Sequence, residues 1–456
     1  MIRRSFITGF ALVTALFMGG CNSDDGETLV DTRSVEIPID TNIAYARGVE
    51  PGNNPYVLYY ADPRPEENGE NRVLRIDYRK WSFKAITCKG VNPHSVDRAG
   101  WSNRFYVRTQ NSYSFDVVDF DNDTVKTVDM NNTYTEDGQL IHHKPRAIGA
   151  YNNKYKIQLL SVKNIPAADV IDVKTDKILT VLGDNNATPI SSGSATGHSL
   201  WFDEDHCGVI DRVHNLVWVY RVERDESGAL TFTLTQKFPL EHSIHALERV
   251  DHPQNEEDLY LFYATYEGDV TASPKIYPAV AEIRFDPFNE TLEKTRSVEF
   301  PQSDEIVDVN GYDIKPITHH LGITPDGRYI VAPDYDGSVY FVDRRNFKVV
   351  KRLNAGYGAA HVNFSEKYDV AIVTSHFDKY VTVIDLKTLT VKDDIFITDH
   401  EYHGHLLQPH FSYVDPNGRY FYTFSTQDGD FLKIDLETDE VVDRLHTGGA
   451  PEQAHS

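Results

Sequence analysis

Cysteine is scarce in this chain, with three in 456 residues. None stands in a Cys-x-x-Cys-His arrangement, which excludes covalently attached haem c. A phosphate-cradling P-loop and a Gly-x-Ser-x-Gly nucleophile elbow are also missing, so the sequence carries no sign of a nucleotide cofactor or of an α/β-hydrolase. Beyond the N-terminal segment no apolar run approaches the ~20 residues that a membrane-crossing helix needs. Basic residues are outnumbered: 45 Lys and Arg face 69 Asp and Glu, a formal charge of −24. Nucleic acid and anionic lipid recruit basic patches, so this balance argues against both as partners and favours cations.

What is present begins at the N-terminus. Met1-Ile2-Arg3-Arg4 precedes an apolar stretch over residues 6–18, followed by Gly19-Gly20-Cys21. A basic start, a short apolar core and small residues before a cut site describe a secretory signal too short to span a bilayer. Small residues directly before a cysteine resemble the lipobox of bacterial lipoproteins. That resemblance implies a signal peptide over 1–20, cleavage before Cys21, lipidation of Cys21, and a lipid anchor on the periplasmic side of the cell envelope. An aspartate after the cysteine would imply inner-membrane retention in that family; Asn22 stands there, so the outer membrane is favoured. The polar run Ser23-Asp24-Asp25-Gly26-Glu27 reads as a flexible tether, assigned to 21–34. Losing Arg3 and Arg4 takes the mature charge to −24 − 2 = −26.

From residue 35 to 456 a single unit repeats. The last three copies are plainest: His320 to Leu353, His361 to Val391 and beyond, and His410 to Leu445 each hold four short runs of Val, Ile, Tyr and Phe between Gly, Pro, Asn and Asp turns. The template extends upstream as units at about 43–88, 92–130, 144–182, 197–238, 243–300, 318–353, 359–397 and 408–446. The fifth is longest, and its excess over 266–278 falls between two strands. Four-stranded repeats of this length without helical stretches predict an all-β, eight-bladed β-propeller of antiparallel blades. Seven blades is the alternative if the irregular first unit is misread. A leftover strand at 33–39 is expected to complete the last blade and clasp the ring. Ile323-Thr-Pro-Asp-Gly-Arg-Tyr-Ile-Val followed by Val339-Tyr-Phe-Val-Asp343, and Tyr380-Val-Thr-Val-Ile-Asp385, resemble the YVTN-type (YncE-like) bacterial propellers. The resemblance implies the fold and little about chemistry.

Propeller geometry turns histidine counting into a spatial statement. The innermost strand A leaves one face of the ring and B returns to it, so D–A and B–C connections share that face. At the start of strand A stand His94, His198, His245, His320, His361 and His410. Arg146 takes the equivalent place in the third repeat, and Arg47 lies near it in the first. His214 and His376 end strand B on the same face. His142, His143, His242, His319, His400, His403 and His405 fall in D–A crossovers, and His446 and His455 follow the last D strand. Only His206 and His252 map to the opposite side.

One reading is that histidine at this strand position caps turns and bonds backbone carbonyls. The other is a metal site, because imidazoles from several inner strands converge on the ring axis and can give three or four ligands at about 2.0–2.1 Å to zinc, or the nitrogen field copper prefers. The candidate ligands are His94, His198, His214, His245, His320, His361, His376 and His410. His403 and His405 join them from the tract Asp399-His-Glu-Tyr-His-Gly-His405, a His-rich loop that could collect an ion. An exported propeller with such a mouth and loop is similar to the periplasmic zinc metallochaperone propellers that serve uptake transporters. It also bears some likeness to nitrous-oxide reductase, although no cupredoxin segment follows. Neither family's motifs match residue by residue.

Three functions therefore stand open. They are a metallochaperone or store for zinc or copper, with a metal transporter or metalloprotein as partner; a metalloenzyme using the same ring; and an interaction scaffold without metal. The non-catalytic reading is favoured. Arg47 and Arg146 could bind an anionic ligand or pair with acids. Asp119-Phe-Asp121-Asn-Asp123 resembles the opening of a calcium loop but lacks its Gly and its final Glu, and reads as a turn. Cys88 and Cys207 are placed at opposite faces, about 17–20 Å apart, too far for a disulfide.

Overall fold

In the computed structural model the described residues run from 56 to 455, with breaks at 64–70, 101, 110–111, 131–132, 135–139, 251–252, 254 and 452. The signal peptide, Cys21, the tether, the strand candidate at 33–39 and Arg47 lie outside them. Eight four-stranded antiparallel sheets form the ring. Blade 2 shows the pattern, with strands A to D at Pro93–Arg98, Arg104–Thr109, Ser114–Asp119 and Thr124–Asp129. The A strands of blades 3 to 8 begin at Pro145, Leu200, Ile244, Gly322, Ala359 and Tyr413, close to the unit starts read from the sequence.

Burial explains why these segments are strands. Val57–Asp62 and Val370–Ser375, both B strands, are buried at every position. A strand covered on both faces reads as a continuous apolar run rather than an alternation. The D strand Lys348–Asn354 alternates between exposed and half-buried positions, as an outer strand with one wet face should. The buried residues sort into eight clusters, one between each pair of neighbouring blades. One joins Val57 and Tyr59 of blade 1 to Phe105 and Val107 of blade 2, and another joins Leu58 and Tyr60 of blade 1 to Tyr422 and Phe424 of blade 8. The last of these closes the circle.

The closing strand is not the expected one. Blade 1 takes its innermost strand from the C-terminus: Gln453–His455 pairs antiparallel with Val57–Asp62, in the register Tyr59↔His455 and Ala61↔Gln453. Residues 57–87 supply only strands B, C and D of that blade. The inner position that the sequence template gave to the first unit's own leading strand is filled by Gln453–His455. The seam is locked by a buried ion pair. Asp62 and Arg72, at 0 % and 6 % exposure, lie 2.7 Å apart. Asp62 also accepts from the Ala450 N–H at 3.0 Å, and Arg72 donates to the Thr447 carbonyl at 3.1 Å.

Other readings settle locally. The Asp119 carboxylate accepts from the N–H groups of Asp121 and Asn122 at 2.9 and 3.1 Å, making the segment a C–D turn. Asp172, Asp286 and Asp343 close the same turn elsewhere. Cys88 and Cys207 are buried free thiols in separate core clusters. Replacing Asp62 by Ala leaves Arg72 as a buried charge without its partner and removes an anchor of the closing strand. Thermal or chemical denaturation of that variant should show a loss of about 3–5 kcal/mol; a loss below about 1 kcal/mol would mean the seam is held by apolar packing alone.

Candidate metal centre

Strand A carries the site because its mouth end is irregular. The A–B ladder slips between Pro93 and Ser95, Pro145 and Ala147, Ile244 and Leu247, and Ala359 and His361. A bulge of this kind re-aims the side chain it carries, and the residues at these slips include His94, Arg146, His245 and His361. In blades 4, 6 and 8 the histidine lies just before strand A, with His198 ahead of Leu200, His320 ahead of Gly322 and His410 ahead of Tyr413. Neighbouring inner strands are stitched together by the His198 N–H, which donates to the His245 carbonyl at 3.1 Å. Gly197 permits that approach, since a Cβ there would stand 2.4 Å from the same carbonyl oxygen.

The outcome is an unbroken chain of eight imidazoles drawn from six blades. Ring centres are separated by 4.9 Å for His198–His245, 3.9 Å for His245–His319, 4.7 Å for His319–His320 and 4.6 Å for His320–His361. The chain continues at 5.5 Å for His361–His376, 4.4 Å for His376–His410 and 5.5 Å for His410–His94. His198, His320, His361 and His410 line a cavity of about 240 Å³ together with Asp97. Three groups have their ligand atoms all within 4.8 Å of one another: His198, His245 and His320; His319, His361 and His410; and His245, Glu267 and His319.

Hydrogen bonds orient several rings. The Nδ1 of His320 lies 2.6 Å from the Glu248 carboxylate, and the Nδ1 of His376 lies 3.1 Å from the Gln408 carbonyl oxygen. In the neutral form of each ring Nδ1 then carries the proton and Nε2 the lone pair. The Nε2 atoms of His198 and His361 are shielded from solvent and have no hydrogen-bond partner among the described residues. Burial, followed by the charges of neighbouring cationic groups, holds the pKa of His198, His245, His319 and His361 well below the usual histidine value. These rings are therefore neutral at pH 7, the form that can donate a lone pair.

No protein-family model and no curated protein matches the chain. Solved structures do. Dihydro-heme d1 dehydrogenase NirN in complex with DHE superposes with a TM-score of 0.59 at 12% identity, covering 89% of this chain and 77% of its own. The Dos1 propeller gives 0.56 at 15% identity, covering 78% and 85%. Apo AztD from Citrobacter koseri gives 0.50 at 10% identity, covering 87% and 96%. At such identities the likeness speaks for the fold alone. No helix among the described residues is long and apolar enough to cross a membrane.

Of the ten expected ligands, the structure brings together His94, His198, His245, His320, His361, His376 and His410. His214 stays apart, half-exposed, with its Nδ1 2.9 Å from Asp211. His403 and His405 are exposed on their crossover, which is held by Tyr402 against Tyr312 and Phe377. Sequence reasoning missed His319, which belongs to two of the three groups. The doublet His319-His320 was the available signal, since both members turn into the mouth. It also missed Glu267, carried by the long insertion of blade 5, and Glu248.

The depressed histidine pKa values fix the sign of a pH effect. Below pH 6.5 the unfolded chain takes up protons at these positions and the folded chain does not, so stability falls with pH. Metal-free protein should lose stability as pH drops from about 6.5 toward 5, by up to about 1.4 kcal/mol per unit for each such histidine. Denaturant titrations at pH 7.5, 6.5 and 5.5 would read the slope. Replacing His198, His245, His319 and His361 by Gln should flatten it, and an unchanged slope would place the protons elsewhere.

Proposed function

We propose that this chain is a lipid-anchored, extracytoplasmic propeller that holds a transition-metal ion, zinc or copper, on histidines at one mouth of its channel, as a metallochaperone or store. The observation that carries this reading is the grouping of imidazole nitrogens from separate blades within 4.8 Å of one another. Two nitrogens bound to one ion at about 2.0–2.1 Å stand at most about 4.2 Å apart. Small side-chain rotations therefore bring either trihistidine group into a ligand set. The shielded Nε2 atoms of His198 and His361 fit the same role, because a buried acceptor without a partner costs free energy that a bound cation would recover.

Three nitrogens leave a fourth position open, which suits an ion that must be handed to a metal transporter or metalloprotein partner. The exposed His403 and His405 suit first capture of the ion. Apo AztD has the same fold and supports the propeller part of the reading. The lipobox-like Gly19-Gly20-Cys21 supports the anchor, with the outer membrane favoured by Asn22.

Elemental analysis after gentle purification, followed by competition against a chromophoric chelator, tests the proposal. Stoichiometric zinc or copper is expected. His319→Ala should weaken binding by more than the ~10–100-fold typical of outer-shell changes, because His319 serves two groups. His403→Ala with His405→Ala should slow loading while leaving equilibrium affinity within about threefold, less than outer-shell changes typically cost. Trace, readily displaced metal in the wild-type protein would sink the reading and leave an interaction scaffold; a substrate-sensitive visible spectrum of the copper form would favour an enzyme instead.

A further inference from the structure

Arg146 sits at the register slip that opens strand A of blade 3, in the position occupied by histidine in six other blades. It is 8 % exposed. Its Nε is buried without a hydrogen-bond partner, and no ion pair joins its guanidinium to a carboxylate among the described residues. Its surroundings add positive charge. Arg108, also buried, donates from Nη1 to the Arg146 backbone carbonyl. Burial, and after it the charges of Arg108 and Arg146, depresses the pKa of Lys163; burial, and after it the charge of Arg212, depresses that of Arg146. The acid whose charge bears on Arg146 is Glu267, and Glu267 is already paired with Arg212. Arg146 in turn depresses the pKa of His198, His245 and His319, rings that are neutral at pH 7 and cannot offset it.

A buried guanidinium without a counter-charge is among the costliest arrangements a fold can keep. It stands here in a chain of net charge −24, where carboxylates are abundant, yet the one whose charge reaches it is already engaged by Arg212. We propose that Arg146 is the centre of a binding site for a small anion, an inorganic oxyanion or a carboxylate, at the histidine-lined mouth of the channel. The planar guanidinium offers such a ligand a bidentate hydrogen-bonded pairing that no lysine could match. The site stands on Arg146 and not on the metal reading. If the histidines also hold a cation, the two ligands favour each other's binding, and linkage requires the effect to be reciprocal.

Calorimetric titration of the metal-stripped full chain in low-salt buffer, with sulfate in one arm and acetate in the other, tests this. Saturable binding of one anion is expected, and the stronger arm identifies the class. Arg146→Gln should weaken binding at least tenfold. Arg146→Met should unfold at the same or a higher temperature than the anion-free wild type and show no anion-induced rise, since it removes an unpaired buried charge. Absence of saturable binding to the wild type, or equal affinity in Arg146→Gln, would overturn the proposal. Repeating the titration with zinc alone separates the two readings: sulfate binding without zinc binding leaves the anion site and removes the metal centre, and the converse does the reverse.

Discussion

No blade of this protein can bury both faces of its own sheet, and the rest of the structure depends on that constraint. Each blade must be covered by two neighbours, which is possible for all of them only in a closed ring. The eight inter-blade clusters are the material form of this requirement, and the cluster joining Leu58 and Tyr60 to Tyr422 and Phe424 is the one that turns a row into a circle. Once the ring closes, every strand A faces one axis, and the mouth ends of six of them carry histidine. The convergence follows from topology rather than from any local motif. That is why residues as distant in the chain as His94 and His410 come to lie 5.5 Å apart, ring to ring.

Crowding imidazoles this closely has an electrostatic condition. Charged rings with centres 4–5 Å apart would repel strongly at low dielectric, so the assembly is compatible with the fold only while most of the rings are neutral. Burial enforces neutrality at His198, His245, His319 and His361. The cost is a set of lone pairs facing one another with few donors to satisfy them. A divalent cation would resolve that difficulty by coordinating the unsatisfied nitrogens. The protonation of the mouth and the stability of the fold are thus coupled through the same nitrogens.

Much of this was legible in the sequence. Blade count was, and so were the starts of blades 2 to 8, because B and C strands buried on both faces announce themselves as repeated apolar runs, and because aspartate turns such as Asp343 recur at a fixed place in the repeat. The shared face of the histidines was legible too, since strand order alone assigns it. The closing strand was not. Gln453–His455 is three residues long and shows no pattern of its own; its stability comes from the ladder offered by Val57–Asp62, whereas 33–39 has the better apolar alternation. His319 was missed because a repeat template allots one mouth position per blade and cannot show that two successive side chains both turn inward. Glu267 lies in an insertion outside the template altogether.

Glu267 ties the two halves of the mouth together. One carboxylate oxygen engages Arg212, and the other stands 3.8 Å from the Nδ1 of His245, within the group completed by His319. The same carboxylate is the acid whose charge bears on Arg146. A single negative charge is therefore divided among two guanidiniums and a pair of imidazoles. A cation on His245 and His319 would compete with Arg212 and Arg146 for that charge. What it drew away would leave the arginines less compensated and more receptive to an anion from solvent. An anion at Arg146 would have the complementary effect, freeing Glu267 for the histidines. The insertion in blade 5 thus places at the mouth a group through which the two proposed sites would be coupled.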